Sequence, residues 1–323
     1  MNILVTGAAG FIGFHIAKLF LKKNYKVIGI DNVDDYYSVK IKYRRINQLK
    51  KFKKFKFFKL DLINFKKVEK NLKKQKIDQI YHFAAQAGVR YTISNPEKYV
   101  KNNIIVFYNL LELTKKFDIK KMFFASSSSV YGDQKKYPVS ETFSLNEKNI
   151  YGFSKKINEK SAKVYSNYND TKFIGLRFFT VFGEWGRPDM LIYKYMKAIF
   201  EKKIFKLNAN GSHYRDFTYI KDVEKIIEKI SKKRIKNKYQ IFNICSNNPI
   251  NVKHVVNSIN NYIGKKNKVY KINPEILKRI EVNKTHGDNK KILKFINGLK
   301  FTKFDDALNS TIAWYIKNKF YKY

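Results

Sequence analysis

Cysteine, proline and glycine are scarce: one, five and fourteen in 323 residues. A lone Cys245 can close no internal disulfide, and inside "YQIFNIC" it reads as a small buried apolar side chain. The five histidines are scattered without ligand spacing, so no metal site is expected. No apolar run approaches the roughly 20 residues that span a bilayer, so no membrane partner is expected. The first strand pattern begins at Asn2 with no leader before it, and a cytoplasmic location follows as the expectation. Acids are few as well, 26 against 67 basic residues, which leaves a formal charge of +41.

That charge is nearly all lysine, since only eight of the basic residues are arginine. The lysines run along the whole chain and do not cluster in one arm. This is the mark of compositional drift, and no specific nucleic-acid partner is expected. A 44% apolar and 16% aromatic content implies an ordered globule, large enough for a main domain and a smaller lobe.

Hydrophobic patterning sets the order of elements. "NILVTG" reads as a buried strand ending in a glycine turn, and "FHIAKLFLKKN" as a helix with Ile16, Leu19 and Phe20 on one face. "YKVIGIDN", "KFKFFKLDL", "IDQIYHFAA", "KKMFFASSSS" and "TKFIGLRFFTVFG" supply further strands, with "NNIIVFYNLLELTKKF" as a helix between two of them. Such alternation predicts an α/β fold, a Rossmann-type doubly wound parallel sheet. The alternation loosens beyond Val181. The expected division is 1–180 for a dinucleotide-binding domain, with a returning segment near 213–245, and 181–323 for an interleaved, smaller, mostly helical substrate-binding lobe.

Three motifs carry chemistry. "VTGAAGFIG" places Gly7, Gly10 and Gly13 between a strand and a helix, where backbone can approach a pyrophosphate at a helix N-terminus. Asp31 ends the second strand, placed to accept from ribose hydroxyls and to repel a 2′-phosphate, which favours NAD over NADP. Asn32 follows it, and Asp61 with Leu62 after the third strand is placed for the adenine edge or for solvent. "YGFSK" sets Tyr151 and Lys155 on one helical face. A free tyrosine is a poor base, and an adjacent ammonium favours its phenolate. The third motif is the run Ser126 to Ser129 at a strand end: a turn, or hydroxyls aimed at a substrate.

The set "TGAAGFIG", "HFAAQAGVR", "ASSSSVYG", "YGFSK", "LRFFTVFG", "GRPDM" and "RDFTYIKD" resembles the extended short-chain dehydrogenase/reductase family, and within it the UDP-glucuronate 4-epimerases. The likeness is dense to about residue 225 and thinner after it. It implies tightly bound NAD and catalysis by Ser127, Tyr151 and Lys155. It also implies cofactor contacts from Phe11, Ile12, Ala84, Gln86, Asn102 (or Asn103) and Phe179, with His82 a packed strand-end residue. Arg90, Ser128, Ser129, Thr180, Arg187 and Arg215 would face a UDP-sugar. Related dehydratases and decarboxylases carry an acid where Ser128 and Ser129 stand. Without one, oxidation and re-reduction of a single carbon is the chemistry implied, and Arg187 would hold a uronate carboxylate unless it pairs with Asp189. Arg215 would meet the diphosphate unless it pairs with Asp216 or Asp222. Relatives dimerise through the helices after the fourth and fifth strands, so a homodimer is implied. "IEVNKTHGD" departs from the family's "GDVPxTxAD", with Asp288 as its last acid.

Two other readings stay open from the residues alone. One is a 4-epimerase of a neutral UDP-hexose, which has no use for Arg187. The other is a non-catalytic NAD-binding protein of the same fold, against which the intact Ser127, Tyr151 and Lys155 count.

Overall fold

In the computed structural model, which describes residues 1–323, seven parallel strands form the central sheet. The chain alternates β1 (Asn2–Thr6), α1 (Phe11–Lys22), β2 (Lys26–Asp31), α2 (Val39–Lys50), β3 (Phe55–Lys59), α3 (Phe65–Leu72) and β4 (Gln79–His82). A short α4 (Pro96–Tyr99) and a π-helical turn at Val100–Ile105 lead into α5 (Val106–Lys116). Then come β5 (Lys121–Ser127), α6 (Ile150–Tyr165), β6 (Lys172–Phe178), β7 (Thr180–Phe182), α7 (Leu191–Phe200), β8 (Phe205–Asn208), β9 (Tyr214–Tyr219), α8 (Ile220–Lys232) and β10 (Tyr239–Ile244). The remainder is β11 (Pro249–Asn251), α9 (Val252–Ile263), β12 (Val269–Ile272), α10 (Glu275–Ile280), α11 (Lys290–Phe295) and α12 (Phe304–Lys317).

The sheet order is β10-β6-β5-β4-β1-β2-β3. Chain direction reverses its march between β1 and β4, and this switch point opens a crevice at the carboxyl ends of the strands. Helices cover both faces, so the strands read as continuous apolar runs rather than alternating ones. Ile3 and Val5 pack into one layer with Phe14, Phe20 and Phe123, while Leu4 packs into the other with Phe107, Leu110 and Phe124. β3 lies at the sheet edge and is half-exposed, which explains its Lys/Phe alternation.

Two features were hidden by the loosened pattern after Val181. Beside the central sheet stand two small sheets, β11-β9-β7 and β12-β8. Of the segment 213–245, β10 joins the central sheet beside β6, but β9 belongs to the small sheet. Short strands rich in Lys, Asn and Tyr, such as "FKLN", lack the apolar run that marks a buried strand.

Candidate active site

Gly7 to Gly13 form the turn from β1 into α1. Gly7 adopts φ +71°, and a Cβ on it would lie 2.6 Å from Ala84 N. At Gly13 a Cβ would fall 2.1 Å from Gly7 O. Gly10 is the N-cap of α1 and offers no side-chain cap, so the first-turn N–H groups remain for a ligand.

A cavity of ≈ 260 Å³ opens over this turn. It is lined by Gly7, Gly10, Phe11, Ile12, Gly13, Asp31, Asn32, Asp61, Leu62, Ala84, Gln86, Asn102 and Phe179, with Ser127, Tyr151 and Lys155 at its far end. Asp31 is 9% exposed and accepts from Ala9 N at 3.0 Å and Val33 N at 2.8 Å. Burial raises its pKa, against the pull of Lys42 and of those two N–H groups. Asp61 accepts from Ile63 N at 2.9 Å and stands exposed. The π-helical turn decides between the paired asparagines: Asn102 lines the cavity, while Asn103 is fully buried and brackets Gln86 through its N (2.8 Å) and O (3.1 Å). His82 is buried with Nδ1 2.7 Å from Thr6 Oγ1.

A second cavity of ≈ 750 Å³ adjoins the first. Arg90, Ser128, Ser129, Thr180, Arg187 and Arg215 all line it, and Ser127, Tyr151, Phe179, Tyr36 and Arg187 belong to both. Ser127 and Tyr151 therefore stand where the two spaces meet.

The groups there are buried and charge-sensitive. Burial raises the Tyr151 phenol, and the Ser127 hydroxyl and then the Arg187 guanidinium pull it back. Lys155 is 1% exposed with Nζ 5.9 Å from the Tyr151 ring centroid, and burial alone lowers it to about 8. Asn149 caps α6 by accepting from Gly152 N at 2.9 Å, which fixes the helix that presents both residues.

The arginines are less free than the sequence alone implies. Arg187 forks onto Asp189, with Nε to Oδ1 at 3.0 Å and Nη2 to Oδ2 at 2.5 Å. Burial opposes the Arg187 charge, but Asp189 more than offsets this and raises its pKa. Tyr36 donates to the same Asp189 at 3.2 Å. Arg90 pairs with Glu281 across the cavity mouth at 2.5 Å. Arg215 meets neither Asp216 nor Asp222; it donates to Tyr214 O at 2.9 Å and Asn283 O at 3.0 Å. Asp216 points the other way along β9 and accepts from Ser246, Asn247 and Gly287.

Tyr36, Lys42 and Glu281 also line the cavities, and no motif in the sequence points to them as site residues. For Tyr36 the available signal is "DDYYSVK", close behind Asp31.

Three features fit a bound dinucleotide: a cradle that a Cβ at Gly7 or Gly13 would destroy, an uncapped helix start, and a buried lysine without a partner carboxylate. The class so defined is a Rossmann-fold protein with a Ser–Tyr–Lys set at the base of its crevice. The chain belongs to the NAD dependent epimerase/dehydratase family, matching it over residues 3–245. It is 41% identical to an uncharacterized protein of Methanocaldococcus jannaschii, over 98% of this chain and 97% of that one. It is 36% identical to a UDP-glucuronate 4-epimerase of Thermodesulfobacterium geofontis, over 98% and 96%. The solved UDP-glucuronic acid 4-epimerase of Bacillus cereus, in complex with UDP-glucuronic acid and NAD, superposes with a TM-score of 0.90 at 30% identity, covering 98% of this chain and 100% of its own.

Proposed function

We propose that the protein is an NAD-dependent 4-epimerase that interconverts UDP-glucuronate and UDP-galacturonate. The observation that carries this reading is the junction itself: one set of Ser127 and Tyr151 shared by the crevice over the glycine turn and a larger cavity lined by arginines and hydroxyls. Residues 1–180 with β10 serve the dinucleotide, and 181–323 the nucleotide sugar. Gly7 to Gly13 would hold the pyrophosphate, Asp31 and Asn32 the adenosine ribose, and Lys155 the nicotinamide ribose.

NAD held there would supply reversible hydride acceptance for the sugar carbon. Tyr151 takes the proton from the C4 hydroxyl oxygen and later returns one. Ser127 donates a hydrogen bond to that oxygen. The Lys155 ammonium stabilises the Tyr151 phenolate, which burial alone disfavours. Arg215 and Arg90 face the diphosphate.

A C4 ketone makes the uronate a β-keto acid, which loses CO₂ when the C5–C6 bond aligns with the carbonyl. Ser128, Ser129 and Thr180 donate to the carboxylate and Arg187 pairs with it, keeping that bond out of line. One observation favours a neutral UDP-hexose instead: Arg187 is already satisfied by Asp189. Three hydroxyls with no acid among them weigh for the uronate.

A second copy of the chain completes the reading. Ile105 and Tyr108 of the α5 region and Ile150, Phe153 and Val164 of α6 are exposed apolar side chains, and they form the homodimer face. A cytoplasmic location belongs to the same reading.

The test is incubation of the purified protein with UDP-glucuronate and no added cofactor. UDP-galacturonate should form, and acid extraction should release NAD. Product from UDP-glucose alone would overturn the choice of sugar.

A further inference from the structure

Behind the serine turn lies a polar network that meets the first cavity only at Ser126 and the second not at all. Ser126 Oγ donates to Glu159 Oε1 at 2.5 Å. Arg177 forks onto the same carboxylate, with Nε to Oε1 at 2.8 Å and Nη2 to Oε2 at 2.7 Å. Its Nη1 donates to Tyr131 OH at 2.8 Å, and Tyr131 OH donates to Asn243 Oδ1 at 2.7 Å. Asn243 in turn donates to Val139 O at 2.9 Å. None of these five residues is more than 4% exposed.

Fold stability is a weak reason for such a pair. Taking a carboxylate and a guanidinium out of water is costly, and apolar replacements are often as stable. What the pair supplies is geometry. Ser126 and Tyr131 are the two ends of the turn that carries Ser127, Ser128 and Ser129, and both ends are tied to one ion pair. Glu159 stands on α6, four residues after Lys155 and eight after Tyr151. One helix therefore carries the base, its cation and the anchor of the opposing serines. The forked arginine is needed because it reaches Glu159 and Tyr131 at once, which a lysine point charge does less well.

We propose that the Glu159–Arg177 pair is the positioning device of the reaction, gripping the serine turn at Ser126 and Tyr131 so that Ser127 stays against Tyr151 and Ser128 and Ser129 stay on the sugar. This rests on the epimerase reading of the site. Glu159 and Arg177 are positioning residues and touch no substrate.

The test uses Ser126→Ala, Tyr131→Phe and the double variant, each single change deleting one oxygen. Glu159→Gln is a weaker probe because it can fail to fold. Both single variants should stay folded, with kcat reduced about 10- to 100-fold, the scale for a slightly misplaced catalytic group. KM should stay within about 3-fold, because binding is made elsewhere. Since losing either end releases the turn, the double variant should be no worse than the poorer single variant within about 3-fold, a non-additivity that marks one shared device. More turnovers should end in CO₂ and a pentose product. A kcat within about 2-fold of wild type in both single variants would overturn the proposal, as would losses that multiply in the double. If the wild type ignores UDP-glucuronate, the sugar assignment fails separately, and the same variants are read with UDP-glucose.

Discussion

The two segments that line the larger cavity, around Ser127 to Ser129 and around Arg187, are held in different ways. The turn from Ser126 to Tyr131 is fixed by a buried ion pair whose side chains are 5% and 4% exposed. The loop carrying Arg187 is fixed by the Arg187–Asp189 pair, whose side chains are 20% and 22% exposed at the cavity wall. Behind that loop, fully buried Arg45 donates to Trp185 O at 2.6 Å and Gly186 O at 3.1 Å while its other arm reaches Ala9 O of the glycine turn at 2.9 Å. The residues proposed to move protons stand on elements that the closed network ties together: Ser127 on the turn and Tyr151 on α6. The group assigned to recognition sits on a pair that a ligand carboxylate can enter and exchange. The charge proposed to fix geometry is sealed away from the cavity, and the charge proposed to select ligand is not.

The largest effect should come from the fixed side. Tyr151→Phe should lower kcat by about 10²- to 10⁴-fold while UDP-sugar binding, followed by calorimetry, persists. Near-normal turnover would remove the tyrosine from its role. On the exchangeable side, Arg187→Leu should cost UDP-glucuronate turnover about 2–4 kcal/mol in kcat/KM, and UDP-glucose turnover far less. It should also raise the fraction of turnovers that release CO₂. Equal losses on both sugars would make Arg187 a strut for the loop, as its bond to Asp189 alone would have it.

Between the two sides stands Arg45. Arg45→Lys keeps the charge and loses the fork, so the glycine turn and the Arg187 loop should slip apart. NAD retained through purification should fall and KM for the sugar should rise together, with a stability loss of about 1–3 kcal/mol. A change in only one of the two binding steps would show that the segments are not linked through it.

The smallest effect should be a gain. In protein stripped of nucleotide, Lys155 releases its proton near pH 8 when folded, against about 10.4 when unfolded. Between those values the unfolded chain binds the extra proton, so stability rises with pH across that window and the burial cost is fully present below pH 8. Lys155→Met should therefore stabilise the stripped protein at pH 7 by of the order of 1–3 kcal/mol. The advantage should shrink from pH 8 to pH 9.5 in melting curves. A variant less stable than wild type at pH 7 would show that the ammonium has a partner.

What was legible from sequence is what short spacing encodes. Gly7, Gly10 and Gly13 bracket one turn, Tyr151 and Lys155 share one helical face, and Asp31 ends a strand that its apolar run announces. The strands beside these motifs were legible for the same reason, because a parallel sheet buried on both faces writes itself as continuous apolar runs. Contacts made across the fold were not. Asp189 was a foreseeable partner for Arg187 two residues away, but Tyr36 reaches the same acid from 153 residues off. Glu281 meets Arg90 over 191 residues. Arg215 was open to pairing with neighbouring acids, but successive residues on β9 face opposite ways, so Asp216 is carried off to Ser246. Asp222, in the first turn of α8, accepts from Thr302 N at 2.8 Å. The choice between Asn102 and Asn103 hung on a π-helical turn, which shifts the face of a helix without changing its composition.

The measurement that bears most directly on the assigned function is the ratio of kcat/KM for UDP-glucuronate to that for UDP-glucose in the wild-type protein, with no cofactor added. A carboxylate recognised by Arg187, Ser128, Ser129 and Thr180 should favour the uronate by about 10²-fold or more, because the site's polar groups go unpaired with the neutral sugar. A ratio at or below one would contradict the uronate assignment and make the protein a neutral-hexose epimerase.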